Sequence, residues 1–210
     1  INANSSIGGD AVILTALAAT ATGTLTLPDA LTLSAPALVN AAVLSAPKAT
    51  SATLKSSSHT NLDVDKAASI TLTDQAVDFT IGASTDFPAL TTLSVTGKDV
   101  TGVTTSDVAI TAATTLTTIN TAGELKSLTV DADTATAITT AGNLTDFDIT
   151  SAAKLVNLTL GHTFISGDLA ATISVVGADI LTALDMSDVA KVKTITVTGN
   201  AKLASIVAPS

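Results

Sequence analysis

Residues 144–160 read Leu144-Thr145-Asp146-Phe147-Asp148-Ile149-Thr150-Ser151-Ala152-Ala153-Lys154-Leu155-Val156-Asn157-Leu158-Thr159-Leu160. One phrase occurs here twice, eleven residues apart: an apolar residue, two others, an apolar residue, one other, an apolar residue. Leu144, Phe147 and Ile149 form the first copy, and Leu155, Leu158 and Leu160 the second. The last two apolar positions of each copy are two apart, the period that returns side chains to one face of a β-strand.

Strict copies recur outward from this stretch at Leu90/Leu93/Val95, Leu125/Leu128/Val130, Leu181/Leu184/Met186 and Val192/Ile195/Val197. Looser ones start at Leu116 and Leu203, and the steps from 181 to 192 and 192 to 203 are again eleven. Weaker candidates at Val108-Ala109-Ile110, Ile138 and Ile173-Ser174-Val175 fill the gaps, so short strands recur about every 9–13 residues. Turn formers separate them, as in Thr96-Gly97-Lys98-Asp99, Ala122-Gly123-Glu124, Ala141-Gly142-Asn143 and Thr198-Gly199-Asn200. Period two also runs through Thr24–Leu27, Ile70–Thr73, Val77–Ile81 and Thr194–Thr198.

Thr is β-branched and favours strands, whereas Glu, Gln, Arg and Met, which build helices, are nearly absent. The fold class is therefore all-β. Even spacing and small residues predict a β-solenoid, in which the chain coils and each turn stacks on the last. Inward side chains would form aliphatic ladders, and outward Thr, Ser and Asp would stack on their neighbours. The alternative is one or two Ig-like β-sandwiches, whose strands recur at similar spacing. A chain without Trp or Tyr fits the sandwich less well. Residues 1–55 read as irregular N-terminal coils or a cap, with corners at Pro28, Pro36 and Pro47. Residues 56–210 read as solenoid repeats, most regular from 90.

Thr (39 residues), Ala and Ser make up nearly half of the 210 residues, and 17 Asp stand against a single Glu, Glu124. Nine Lys and no Arg leave a formal charge of −9. Nucleic acid is not an expected partner, because neutralising phosphates takes clustered cations. Without Cys there is no disulfide, thiol catalysis or Cys-ligated metal. The mean hydropathy of +0.54 raises the question of a membrane. The longest uncharged stretches, Ala11–Pro28 and Ala30–Pro47, are broken by Thr, Gly or Pro, so membrane insertion is not expected. The chain opens on Ile1 without a signal peptide and reads as a processed chain or a piece of a longer one.

No catalytic constellation is visible, and an enzyme is not expected. His59 lies in a Ser-rich loop and His162 follows Gly161 in a turn, neither in the setting of a nucleophile's base. Paired carboxylates could serve glycoside hydrolysis, but four Phe cannot line a sugar cleft. Calcium is the better chemical candidate, since it takes carboxylates and turn carbonyls. The pairs Asp63/Asp65, Asp131/Asp133, Asp146/Asp148 and Asp185/Asp188 are the candidate ligands, each also readable as a turn former or solvated charge. Asn-x-Ser/Thr triplets at Asn4, Asn143 and Asn157 are expected by chance at this Thr content. Thr-x-Thr runs at Thr22/Thr24/Thr26, Thr71/Thr73, Thr134/Thr136 and Thr194/Thr196/Thr198 suggest ice binding. Such a face needs them stacked in register, and their spacings follow no single period.

Leu90-Thr-Thr-Leu-Ser-Val95, Leu125-Lys-Ser-Leu-Thr-Val-Asp-Ala132 and Val192-Lys-Thr-Ile-Thr-Val-Thr-Gly-Asn-Ala-Lys-Leu-Ala-Ser-Ile206 carry a resemblance. They resemble the Thr/Ala-rich, loosely leucine-rich repeats of bacterial surface-layer proteins and large secreted adhesins. The resemblance implies an extracellular, self-assembling, often calcium-dependent coat or matrix protein on a bacterial cell surface. The Gly-Gly-x-Gly-x-Asp calcium nonapeptide of many such proteins is missing, so calcium does not carry over from that motif. The expected function is thus an extracellular structural protein that assembles with copies of itself through the open β-edges of its ends. The alternatives are an adhesin stalk or binding module of a larger secreted protein, and a Thr-rich ice-binding solenoid.

Overall fold

A computed structural model describes residues 5–6, 11–13, 23–35, 42–55, 62–82, 87–98, 106–161, 171–189 and 192–209. The first ten strands are β1 (Ser5–Ser6), β2 (Ala11–Ile13), β3 (Gly23–Thr26), β4 (Thr32–Ala35), β5 (Ala42–Ser45), β6 (Ser51–Lys55), β7 (Leu62–Asp63), β8 (Ser69–Gln75), β9 (Phe79–Ile81) and β10 (Thr92–Gly97). The next ten are β11 (Asp107–Ile110), β12 (Thr118–Ala122), β13 (Glu124–Asp131), β14 (Ala137–Ala141), β15 (Asn143–Ser151), β16 (Asn157–Gly161), β17 (Ala171–Val176), β18 (Ala183–Asp185), β19 (Val192–Thr198) and β20 (Ser205–Val207).

The chain winds into a parallel β-solenoid. Even-numbered strands make one wall and odd-numbered strands the other. Strands β2 to β16 form an eight-stranded sheet in chain order, continued at its C-terminal end by the β18–β20 pair. Facing it are a four-stranded sheet (β1 to β7) and a six-stranded sheet (β9 to β19). Neighbouring strands run parallel (β12 with β10 and β14, β13 with β11 and β15), which excludes the antiparallel sandwich.

Two kinds of corner join the walls. At most corners where an odd strand leads to an even one, the chain makes a four-residue β-turn whose fourth N–H donates to the first carbonyl. Examples are Ala30 to Leu27 at 3.3 Å, Ala49 to Ala46 at 2.9 Å, Leu90 to Phe87 at 3.1 Å and Leu155 to Ala152 at 2.9 Å. The first and fourth residues of these turns are buried, and the two between them face outward. Pro28, Pro47 and Pro88 each occupy the second position, where the fixed φ of proline suits the turn. The corner prolines expected of the N-terminal coils thus have one shared cause. Pro36 lies outside the described residues.

The opposite corner varies in length. At Gly123 and Gly142 a single residue joins even strand to odd, with φ of 68° and 89°. A Cβ on Gly142 would sit 2.3 Å from the Gly123 carbonyl oxygen, and one on Gly123 would sit 2.5 Å from that of Gly97. Only glycine permits this stacking. Elsewhere the same corner carries longer connections, and coil length ranges from 18 residues (Ser51 to Ser69) to 29 (Phe79 to Val108).

The interior is a pair of ladders. Leu33, Ala52, Ile70, Leu93, Ile119 and Ile138 are successive register partners on the even wall. Phe79, Val108, Leu128, Phe147 and Ile173 are the same on the odd wall. All are buried, and Phe79 stacks on Phe87 with ring centroids 6.2 Å apart. Each coil buries its apolar side chains within itself and against the coils before and after it.

Candidate functional site

Thr serves two separate ends. In the corner row that follows the four-residue turns, Thr50, Thr91, Thr117 and Thr136 donate their hydroxyls to the carbonyls of Leu31, Ala68, Thr91 and Thr117, each one coil earlier, at 3.0–3.2 Å. Their backbone N–H groups donate to the same carbonyls. These hydroxyls staple coil to coil.

The Thr and Ser on the outer face of the even wall are different. Thr32, Ser51, Ser69, Thr92 and Thr118 stand in one in-register row. Ser34, Thr53, Thr71 and Ser94 stand in a second row two residues along each strand, continued past Asn120 by Thr139 and Thr159. Neither row holds a charged residue: after Thr118 the first continues with Ala137 and Asn157. No hydroxyl of either row is bonded to another group among the described residues. Of the Thr-x-Thr runs, only Thr71/Thr73 lies on this face. Thr134 and Thr136 are in a turn and its corner, Thr194 to Thr198 are on the odd wall, Thr24 and Thr26 are on β3, and Thr22 lies outside the described residues. The rows do not show as a sequence period because the variable corner changes the length of each coil.

Charge collects on the odd wall, in the turns and at one margin of the even wall, where Lys55 on β6 pairs with Asp74 on β8 at 2.8 Å. Asp107 accepts hydrogen bonds from Lys126 Nζ at 2.7 Å and Ser127 Oγ at 2.6 Å. Partial burial pushes its carboxyl up, but those two bonds and the Lys126 charge outweigh it and hold the group below the usual range. Asp146 and Asp148 point outward from β15 on either side of buried Phe147, as expected, with Ser127 and Thr129 as register partners.

The other candidate calcium ligands are spread along the corners. Asp63 accepts from Ser45 Oγ at 2.6 Å, and Asp65 is exposed in the next turn. Asp133 accepts from Ser151 Oγ and from the Ala153 N–H, and with Asp131 it lines a groove of about 250 Å³ beside Ala112 and Thr114. Asp185 accepts from the Ser187 N–H at 2.9 Å, which with the Ser187 hydroxyl holds its carboxyl below the usual range. It shares with Asp188 a groove of about 180 Å³ against Leu158 and Leu160, where β16 and β18 stand side by side without pairing. Two of the four pairs therefore each line a groove of their own. Among the described residues no three metal-binding side chains converge. His59 and His162 lie outside the described residues.

The coil of β19 and β20 is the last among the described residues. β19 and β20 each pair on one side only, with β17 and β18. Ile195 is 42% exposed and Ile206 52%, although their register partners Ile173 and Leu184 are fully buried. At this end Asn200 replaces the buried residue that opens most of the turns. Its Oδ1 accepts from the Ala178 N–H at 2.8 Å and its Nδ2 donates to the Val175 carbonyl at 2.9 Å. At the other end β1 and β2 are also terminal strands of their sheets.

Together the fold and these surfaces define a two-walled parallel β-solenoid repeat protein. No family model, curated protein or solved structure matches the chain. Among the described residues no helix is long and apolar enough to cross a membrane.

Proposed function

We propose that this chain is an extracellular structural protein that assembles end to end, the C-terminal coil of one copy stacking on the N-terminal coil of the next. A bacterial surface layer, filament or matrix is the setting that the resemblance of its repeats implies. The observation that carries the reading is the exposure of Ile195 and Ile206 on a coil whose two strands keep a free edge. Those side chains lie in the interior ladders, so a further coil would bury them as Ile173 and Leu184 are buried.

A second copy supplies that coil in the right order. The strand that would follow β20 belongs to the odd wall, then one to the even wall; β1 and β2 come in this order. Strand-edge hydrogen bonds give affinity and the apolar ladder gives buried area. Such a contact is head to tail and does not close, so it propagates as a filament. Calcium belongs to the same reading as an ion held by the Asp131/Asp133 and Asp185/Asp188 grooves.

Electron microscopy of the purified chain at high concentration, with calcium and then with a chelator, tests this. Filaments or sheets support the proposal, and their loss on chelation supports the calcium part. Single short rods in both conditions overturn it in favour of an adhesin stalk.

A further inference from the structure

We propose that the corner at Glu124 holds a calcium ion inside the solenoid. This site is separate from the strand edges of the last coil and from the two acidic grooves, since Glu124 opens β13, Asp131 closes it and Asp185 lies on β18. Among the described residues the buried polar side chains are Gln75, Ser106, Thr121, Glu124 and Thr140, and all five stand at the corner from even wall to odd. Gln75 ends β8, Thr121 and Thr140 lie one residue before the ends of β12 and β14, and Ser106 and Glu124 lead into β11 and β13. They are linked from coil to coil. Ser106 Oγ donates to the Gln75 carbonyl at 3.2 Å, Thr121 is the register partner of Thr140, and Glu124 that of Asn143.

Glu124 is the one member of this group with an orphaned atom. It is 7% exposed, and its Oε1 accepts from Asn143 Nδ2 at 3.3 Å. Its Oε2 is buried and has no hydrogen-bond partner, and none of the ion pairs among the described residues includes it. A buried carboxylate costs free energy until its charge is balanced and its lone pairs are used. A proton would balance the charge, but the O–H so formed would need an acceptor, and Oε2 has neither donor nor acceptor in reach. A water molecule would use the lone pairs and leave the charge. A cation does both. Calcium takes carboxylate oxygen together with amide and backbone carbonyl oxygens. The corner offers each kind: Glu124 as the charged ligand, Asn143 as the neutral one once its amide turns Oδ1 inward, and the backbone carbonyls of the glycine corner.

The test is equilibrium dialysis against calcium, with thermal melting in calcium and in a chelator. The full chain is used, dilute enough to stay unassociated and carrying Asp133→Asn and Asp188→Asn to weaken the two grooves. This parent is expected to bind calcium and to melt higher in calcium than in chelator. Glu124→Gln should weaken calcium by at least about tenfold, the loss that follows removal of even an outer partner of a metal ligand. It should also abolish the rise in melting temperature, yet melt no lower than the parent in chelator, because the unbalanced buried charge is gone. Asn143→Asp sets a second carboxylate against the first, so it should melt below the parent in chelator and recover in calcium. A parent whose melting is the same in calcium and chelator overturns the proposal, as does a calcium-dependent rise that survives in Glu124→Gln or an Asn143→Asp protein that calcium does not rescue. A parent that responds to pH through Glu124 and not to calcium also overturns it, and assigns the carboxyl to a proton alone.

Discussion

Ile173 and Ile195 are register partners on adjacent coils, yet Ile173 is wholly buried and Ile195 is 42% exposed. The two residues have the same chemistry and the same place in the coil. They differ only in whether another coil lies beyond, which is the energetic signature of a nearest-neighbour stack.

Ile173→Ala should therefore cost about 2–5 kcal/mol, the range for a large-to-small change in a packed core. Ile195→Ala in the dilute, unassociated protein should cost less than ~1 kcal/mol. Urea unfolding of the two variants measures both.

Thr117 and Thr118 are adjacent, and only Thr117 donates its hydroxyl to a carbonyl, that of Thr91 at 3.1 Å. Thr117→Val should lower stability by about 0.5–1.5 kcal/mol, the net worth of one hydrogen bond. Thr118→Val should change it by less than half as much, since it removes a hydroxyl that faces solvent. Equal losses would contradict the division of Thr into stapling and face residues.

Gly142 has a φ of 89° and lies where a Cβ would meet the Gly123 carbonyl, whereas the nearest atom to a Cβ on Gly161 is 3.7 Å away. Gly142→Ala should destabilise by at least ~2 kcal/mol, through left-handed strain together with overlap. Gly161→Ala should fall within ~0.5 kcal/mol of wild type. Thermal melts read the difference.

Asp107 has a carboxyl held below its usual range by Lys126 and Ser127, against the opposing effect of burial. Its folded value lies below its unfolded one, so its contribution is complete above about pH 4 and is lost as pH falls through the folded value. Asp107→Asn should thus be less stable than wild type at pH 7, with the gap narrowing below about pH 4. High salt should narrow it too, because the Lys126 pair is solvent-exposed.

The solenoid is legible in the sequence because an inward apolar pair two residues apart is a local signal. The recurring phrase nonetheless merges two settings. In Leu90/Leu93/Val95 and Leu155/Leu158/Leu160 the first Leu closes a turn and the others point inward from an even strand. In Leu125/Leu128/Val130 and Leu144/Phe147/Ile149 all three lie on one long odd strand. The eleven-residue step from Leu144 to Leu155 is a step from wall to wall, so two such steps make a coil. The four-residue turn, with buried ends such as Ala132 and Ala135, is hard to see where Ala is so common. The Ser/Thr rows were hidden by physics of another kind. Coil lengths of 18 to 29 residues remove any constant period, although backbone pairing restores register in space. The Asp pairs show the same limit. Asp146 and Asp148 share a face by strand alternation, but which corners meet across coils is set by stacking.

The most direct test of end-to-end assembly is sedimentation velocity over a concentration series, comparing wild type with Ile195→Asp/Ile206→Asp. The account predicts that wild type grows into long species as concentration rises. The double variant, its ladder ends carrying charge, should stay a single short rod with an unchanged circular dichroism spectrum. Wild type that remains monomeric at every concentration, or a variant that assembles as wild type does, would contradict it.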